Sequence, residues 1–141
     1  MQAPLLDAGA VPLLIAPRLG TVATADGVEL EANGSLENSS PVLFDALVLP
    51  DGEDAVALLA RLGQTMEFVT NQYRHCKTIL VLGASATLLD KVGISEQLPS
   101  GDQDPGLVFC NAADVNEGVA LFIDAVGKHR HPEREIDPPV V

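Results

Sequence analysis

The stretch Lys77–Leu89 constrains the fold most, because an apolar run ends there at a glycine and a helix-like segment follows at once. Ile79–Leu82 shows no polar alternation, which indicates a strand buried on both faces, as in a parallel sheet covered by helices. A turn at Gly83 would lie at the carboxyl edge of that sheet, where open α/β folds bind their ligands. The stretch therefore predicts an α/β fold with a potential site at this turn.

Gly83 limits the chemistry that this turn can perform. In hydrolases of similar design, the sharp strand–helix turn carries a strained Ser or Cys nucleophile beside free backbone N–H groups. Glycine supplies no nucleophile, and it avoids the roughly 1–3 kcal/mol of backbone strain that a side chain would bear there. The sequence thus predicts a degenerate elbow at Gly83, with no catalytic residue.

The flanking segments predict further strands and helices of the same sheet. Apolar runs at Val11–Ala16, Ala46–Leu49 and Leu107–Cys110 predict parallel strands, and Asp26-Gly27 predicts a small β-hairpin flap over Thr21–Leu30. Helices are predicted from near Pro4, Asp54, Thr65, Gly83 and Asp114. The pattern predicts three α/β/α layers around a mainly parallel sheet, with Leu47, Val48, Leu80 and Val81 fully buried.

The start of the chain predicts a missing strand. Pro4–Gly9 resembles the tail of a helix, and a strand follows it directly, so the first strand of a strand–helix–strand unit is expected to be absent. A gap would then lie beside Ala46–Leu49, for a partner chain or a rearranged segment to fill. We interpret residues 1–131 as one N-terminally truncated domain, and the charged, proline-rich residues 132–141 as a mobile tail.

Charge and hydropathy exclude some partners. The formal net charge is −12, so phosphates would be repelled, which argues against nucleic acid and anionic membrane surfaces as partners. No apolar run approaches the ~20 residues that span a bilayer, and no basic region followed by an apolar core marks secretion, so a cytoplasmic location is expected. Cys76 and Cys110 form no disulfide framework, and we predict that they are unpaired.

Several other side chains have the chemistry of site residues. Ser85 lies two positions past the elbow. We therefore interpret it as a hydroxyl at the start of the helix rather than as a nucleophile. His75 and Cys76 are adjacent on a helix and point about 100° apart, so they do not face each other. His129 and His131 lack the spacing of a zinc site and fit the basic end of a helix. No metal site is predicted.

Four runs in order resemble the C-terminal domain of the large-subunit heme catalases. They are Ile15–Val22, Leu43–Pro50, Phe68-Val69 with Tyr73–Lys77, and His129–His131. The likeness covers about residues 10–135. That domain belongs to the class I glutamine amidotransferase-like superfamily, with PfpI-type proteases and related chaperones, so the resemblance implies a flavodoxin-like fold appended to a heme-bearing barrel.

The resemblance also implies that this chain lacks the superfamily's chemistry. Enzymatic members carry a Cys at the elbow, aligned here with Gly83, and often a Pro-Gly-Gly turn where this chain has Pro50-Asp51-Gly52. The acidic residue that assists the Cys in many relatives has no counterpart here. The catalase core binds heme through Arg-x-x-x-Tyr, whereas the only tyrosine here is Tyr73 and position 69 is Val, so no cofactor is expected in this chain.

These points together predict a non-catalytic domain with a structural, oligomer-stabilising role in a heme catalase that disproportionates hydrogen peroxide. Its expected partners are the catalase core or other copies of itself in a homo-oligomer. One alternative is a chaperone-like holdase, since apolar surface exposed by a missing strand would bind unfolded chains. The other alternative, a small hydrolase or deglycase, requires a nucleophile that the sequence lacks.

Overall fold

The computed structural model describes residues 2–141. Their strands are β1 (Ile15–Ala16), β2 (Thr21–Ala23), β3 (Glu29–Glu31), β4 (Gly34–Ser35), β5 (Ala46–Leu49), β6 (Thr78–Leu82) and β7 (Leu107–Cys110). Their α-helices are α1 (Gln2–Asp7), α2 (Glu53–Leu59), α3 (Gly63–Arg74), α4 (Ala86–Val92), α5 (Val115–Gly127) and α6 (Glu133–Ile136). Short 3-10 turns lie at Pro41–Leu43, Gly83–Ser85 and Ala112–Asp114.

The central sheet consists of β5, β6 and β7, all parallel and in that order. Ile79 on the middle strand lies opposite Leu47 on one side and Leu107 on the other. Ile79 and Leu80 are both 0% exposed, as expected for a strand with neighbours on both edges and helices on both faces. The parallel α/β fold predicted from the apolar run is therefore confirmed.

The side chains of β6 divide the interior into two apolar clusters. Ile79 and Val81 point to one face, where they join residues of α2, α3 and α4. Leu80 points to the opposite face and joins Leu5 of α1 and Phe122 of α5. Because successive strand residues alternate between faces, one five-residue strand holds both helical layers on the sheet.

The predicted hairpin flap is present. β2 and β3 pair antiparallel, with Val22 opposite Leu30. Gly27 in the connecting turn has φ +81°, a left-handed conformation that glycine adopts without steric cost. The Asp-Gly pair therefore acts as the turn that the sequence indicated.

Two of the strand predictions need correction. Val11–Ala16 does not form a strand of the central sheet, because only β1 is extended, and it pairs with β4 instead. Val11 and Leu13 are 79% and 50% exposed. Leu47 and Val48 on β5 are half-buried rather than fully buried, since β5 has a strand neighbour on one side alone within residues 2–141.

The segment after residue 131 differs from the predicted mobile tail, because it forms α6 and carries a buried charge. Arg134 is 5% exposed, and its Nε lies 2.7 Å from Oδ2 of Asp104, which is 2% exposed. The Nη1 of Arg134 also donates to the carbonyls of Tyr73 and Lys77, at 3.2 and 2.8 Å. A buried ion pair is stable only when its hydrogen bonds are satisfied, as they are here. These hydrogen bonds hold the C-terminal segment against α3.

Shortening the side chain of Leu80 on the central strand tests this architecture. We expect Leu80→Ala to lower the free energy of unfolding by about 2–5 kcal/mol, because a cavity opens in the apolar cluster that β6 forms with α1 and α5. Leu121→Ala on the exposed side of α5 is the matched control, with an expected change within about 0.5 kcal/mol. Denaturant unfolding measures both, and an unchanged midpoint for Leu80→Ala would contradict the central position of β6.

A second prediction concerns pH. His131 is buried, its Nε2 lies 2.9 Å from the Thr78 hydroxyl, and burial, then the neighbouring Arg134, lowers its pKa. Lys128 also lowers this pKa, whereas Asp104 and Glu133 raise it. The unfolded chain therefore takes up a proton below about pH 6.5 that the folded chain does not bind, so stability falls as the pH drops through this value.

Equilibrium unfolding between about pH 8 and pH 5 measures this loss of stability. The matched variant is His131→Gln, whose amide replaces Nε2 as a partner for Thr78 without titrating. We expect a shallower fall in stability for His131→Gln than for the wild type. Equal slopes for the two proteins would rule out His131 as the source of acid sensitivity.

Candidate functional site

The turn at Gly83 lies where the sequence placed it, at the carboxyl end of the middle strand. β6 ends at Leu82, residues Gly83–Ser85 form a single 3-10 turn, and α4 follows. Gly83 has φ +46°, in the left-handed region that a residue with a side chain adopts at a cost. The backbone geometry of a nucleophile elbow is thus present without the side chain.

The carboxylate of Asp51 occupies the space above this turn. A Cβ placed on Gly83 would overlap the carboxyl carbon and both carboxyl oxygens of Asp51. Asp51 reaches this position from the loop that follows β5, which ends at the same edge of the sheet. A side chain at the elbow would therefore require the Asp51 carboxylate to leave this position.

Asp51 is held there by backbone N–H groups. Its Oδ1 accepts hydrogen bonds from the N–H of Ala84 at 2.9 Å and from the N–H of Gly52 at 2.7 Å. The bond from Ala84, and then the bond from Gly52, lowers the pKa of the Asp51 carboxyl group below its ordinary value. The carboxylate is therefore charged at neutral pH and fills a cradle of donors suited to an oxyanion.

The hydroxyl of Ser85 stabilises the turn by hydrogen bonds. It is fully buried, its Oγ accepts from the Leu82 N–H at 3.1 Å, and its hydroxyl lies 2.9 Å from the Leu82 carbonyl. A third contact, at 3.4 Å, reaches the carbonyl of Leu49 on the neighbouring strand. The hydroxyl thus ties the turn to two strands and does not face a substrate.

The histidines and cysteines do not form a joint site in the structure. Cys76 and Cys110 are buried and unpaired, and burial, followed by the charges of Asp114 and Asp51, raises the pKa of Cys110. His131 contacts Thr78 at the amino end of β6, the opposite end of this strand from the elbow. Among residues 2–141, no group of three His, Cys, Asp or Glu side chains could hold a metal ion.

Tyr73 is not fitted to bind heme. Its ring is 3% exposed and lies under the Arg134 guanidinium, whose carbon is 4.1 Å from the ring centroid. Burial, and then the charge of Asp104, raises the pKa of the Tyr73 hydroxyl. An axial phenolate must be ionised and accessible to iron, and Tyr73 is neither, so this residue does not suit the ligation of heme.

The sequence interpretation missed the role of Asp51. Pro50-Asp51-Gly52 was noted only as a departure from Pro-Gly-Gly, although an Asp before Gly commonly accepts a hydrogen bond from nearby backbone. No local pattern connects Asp51 to Ala84, which lies 33 residues away. That contact depends on β5 and β6 being parallel neighbours in register.

Comparison with known families identifies the chain. A family profile described as the C-terminal domain found in long catalases matches residues 1–135. The chain belongs to this family. Within residues 2–141, this catalase C-terminal domain has no helix long and apolar enough to cross a membrane.

Curated relatives of this catalase C-terminal domain are long catalases. It is 34% identical over 122 residues to Catalase C of Rhizobium meliloti, which covers 86% of this chain and 16% of that protein. It is 35% identical over 136 residues to Catalase HPII of Mycobacterium avium, covering 92% of this chain and 19% of that protein. The chain thus spans less than a quarter of the length of these relatives.

Solved structures with the same fold come from the DJ-1 and ThiJ/PfpI proteins. Drosophila melanogaster DJ-1beta has a TM-score of 0.71 at 17% identity, covering 92% of this chain and 81% of that one. A ThiJ/PfpI domain protein from Brachyspira murdochii has a TM-score of 0.74 at 14% identity, covering 87% and 83%. The flavodoxin-like, amidotransferase-like fold implied by the sequence resemblance is confirmed.

The Asp51 contact predicts how a new thiol at the elbow would behave. In Gly83→Cys, the thiol competes with a carboxylate for the same space, and the negative charge opposes ionisation, so its pKa should stay at or above about 8.5. In Asp51→Gly/Gly83→Cys, the N–H groups of Ala84 and Gly52 become free to stabilise a thiolate. We expect alkylation at pH 7 to be at least about tenfold faster in the double variant.

The pH dependence of iodoacetamide alkylation, located by peptide mass mapping, measures this difference. Asp51→Gly alone is the control, since it reports the background from the buried Cys76 and Cys110. Neither elbow variant is expected to hydrolyse activated esters above background, because the Asp51 carboxylate competes with the thiol for space in Gly83→Cys and is removed in the double variant. Equal alkylation rates in the single and double variants would disprove the blocking role of Asp51.

Proposed function

We propose that this chain is a non-catalytic, structural domain of a cytoplasmic, oligomeric heme catalase. Heme and the disproportionation of hydrogen peroxide to water and oxygen then belong to a separate core. The observation that carries this proposal is the elbow at Gly83, where the nucleophile is absent and Asp51 fills the donor cradle. The family match and the long curated relatives support the same assignment.

Two features support a structural role for the domain: its rigidity and the contact area that it would add to an oligomer. The fold retains a fully buried middle strand and a buried Asp104–Arg134 pair, features of a rigid body rather than of a mobile linker. A rigid domain attached to each core adds contact area within an oligomer, and such contact area stabilises the assembled state by mass action. Its partners in this proposal are the catalase core and other copies of itself.

A domain exchange tests this role. The C-terminal domain of the Mycobacterium avium Catalase HPII would be deleted, or replaced by this chain, and the oligomer compared with the intact enzyme. We expect deletion to lower the temperature at which the oligomer dissociates, and replacement to restore it, without a change in turnover per heme. A replacement carrying Leu80→Ala is the control for a destabilised domain, and an unaffected dissociation temperature after deletion would refute the role.

The isolated chain should have no activity of its own. After heme addition we expect the Soret band to stay that of free heme, because Tyr73 is buried under Arg134, and we expect no consumption of peroxide above that of free heme. Hydrolysis of activated esters and amides should remain at background, because Gly83 supplies no nucleophile. Absorbance titration and an oxygen electrode make these measurements, and stoichiometric heme binding with peroxide turnover would overturn the proposal.

A holdase activity is the second candidate function. The observation that favours it is the exposure of Val11, Leu13 and Leu43 beside a cavity of about 910 Å³. Exposed apolar patches of this kind bind unfolded chains. Light scattering of a heat-unfolded enzyme, with and without the chain, tests this candidate.

A further inference from the structure

The positive charges of this acidic chain are concentrated in two short segments. Residues 74–77 and 128–137 contain five of the eight Lys and Arg residues, all three His residues and three of the 20 Asp and Glu residues. The formal net charge of the two segments is therefore +2. The rest of the chain has three Lys or Arg residues against 17 Asp or Glu residues, a net charge of −14. Charge is thus strongly segregated along the sequence.

The fold brings these two segments together. Because α3 leads into β6 and α5 crosses back from the end of β7, both helices end at the amino edge of the parallel sheet. The N–H of His131 donates to the carbonyl of Cys76 at 2.9 Å, which joins the ends of the two helices. We call the surface formed by residues 74–77 and 128–137 the basic corner. It lies at the opposite end of β6 from the elbow, so the two regions are separate.

The cations of the basic corner divide into two groups. One group forms ion pairs with carboxylates of this chain and consists of Lys77, Lys128, Arg130 and Arg134. The other group is exposed, forms no ion pair within residues 2–141, and consists of Arg74, His75 and His129. The Nε of Arg74 donates to the carbonyl of Val141 at 2.8 Å. Exposed donors without a carboxylate partner are thus collected on one surface.

His129 occupies a position that is usually a glycine. Lys128 caps α5, so His129 is the first residue past the cap, and its N–H donates to the Val126 carbonyl at 2.9 Å. Its φ is +67°, in the left-handed region that favours glycine at this position. Cys76 ends α3 in the same way with φ +57°, but its side chain is buried, whereas that of His129 is exposed. Packing therefore accounts for Cys76 and does not account for His129.

The helix dipole does not account for His129 either. A cation is favoured at the carboxyl end of a helix, but Lys128 already supplies one to α5. Glycine at position 129 would remove the left-handed strain and keep the backbone hydrogen bond of the cap. A strained residue with an exposed side chain is typical of a contact site rather than of a stabilising position. His129 therefore marks the basic corner as a surface that binds a partner.

The charge distribution indicates the kind of partner. A nucleic acid or an anionic membrane would meet the net −14 of the rest of the chain, so the basic corner suits a local patch of carboxylates on a protein. Two basic corners that face each other across a two-fold axis repel, and a corner placed on the acidic face of the next copy repeats without closing. A contact with the catalase core occurs once per chain, and a covalent connection raises its effective concentration, so a few charged contacts suffice.

We propose that the basic corner docks on a carboxylate-bearing surface of the catalase core, with Arg74, His75 and His129 as the contacting side chains. This rests on the proposed function, in which the core is a partner of the domain. The acidic remainder of the domain then points away from the core, so the like-charged domains of an oligomer stay apart. Because exposed charge pairs determine orientation more than affinity, the corner fixes how the domain sits on the core.

Zero-length cross-linking of the domain-exchanged catalase tests the proposal. The enzyme is the Mycobacterium avium Catalase HPII with its C-terminal domain replaced by this chain. A carbodiimide condenses a Lys amine with a contacting carboxylate to an amide and takes up the water as a urea. Lys128 is an exposed amine of the basic corner, and we expect peptide mass mapping to find it joined to an Asp or Glu of the core. Lys91, an exposed amine outside the corner, is the matched control and should not reach the core.

Variants of the basic corner separate the contact from fold stability. His129→Gly removes the side chain and the left-handed strain, so the unfolding temperature of the isolated chain should stay the same or rise. The yield of the cross-link from Lys128 to the core should nevertheless fall about two- to fivefold. Arg74→Glu should lower this yield at least as much, because attraction becomes repulsion. Arg61→Glu makes the same charge change at an exposed residue outside the corner and should leave the yield unchanged.

The remaining outcomes overturn the proposal. Links from Lys128 to a second copy of this chain, found in oligomers assembled from isotope-labelled and unlabelled chains, would assign the corner to that copy. A link to Asp124 alone, equal core links from Lys91, or an unchanged yield in His129→Gly and Arg74→Glu would show that the corner does not dock on the core. The dissociation temperature in the domain exchange is measured separately. A wrong proposed function is therefore recognised when replacement fails to restore that temperature, whatever the cross-links show.

Discussion

The burial of β6 on both faces and both edges is the constraint on which the rest of the structure depends. Ile79 and Val81 belong to one apolar cluster and Leu80 to the other, so the two helical layers have a common support. Each of these side chains is worth roughly 1.5–3 kcal/mol when it leaves water. A fold anchored in this way tolerates changes at the strand ends, and the elbow at the end of β6 has a glycine where hydrolases of similar design carry their nucleophile.

Electrostatics at the elbow explains how the turn keeps the backbone geometry of a nucleophile elbow with a glycine at its centre. Backbone N–H groups that converge on a turn need an acceptor, either from the chain or from water. Asp51 supplies that acceptor to Ala84 and Gly52 from within the chain. The carboxylate thus takes the place that an oxyanion takes in hydrolases with this kind of turn, and Gly83 provides the space.

The sequence predicted the local elements well and the long-range contacts poorly. The strand at Ile79–Leu82 and the Asp26-Gly27 hairpin follow from patterns within a few residues, and both are present. The contact between Asp51 and Ala84, and the buried pair Asp104–Arg134, join residues 33 and 30 positions apart. Such contacts depend on which strands become neighbours, which hydrophobic periodicity does not specify. The charged composition after residue 131 therefore gave the wrong expectation for Arg134.

The failure of the Val11–Ala16 prediction has a physical cause of its own. An apolar run becomes a strand only where a neighbour supplies hydrogen bonds, and β5 is bonded on the side of β6 alone. The run and the edge face the same cavity, so both deviations from the predicted sheet have one origin. Ile15–Ala16 forms a strand, as its β propensity predicts, because β4 pairs with it. Val11 and Leu13 do not form a strand, because no neighbouring strand pairs with them within residues 2–141. The sheet is incomplete at the position between these two segments.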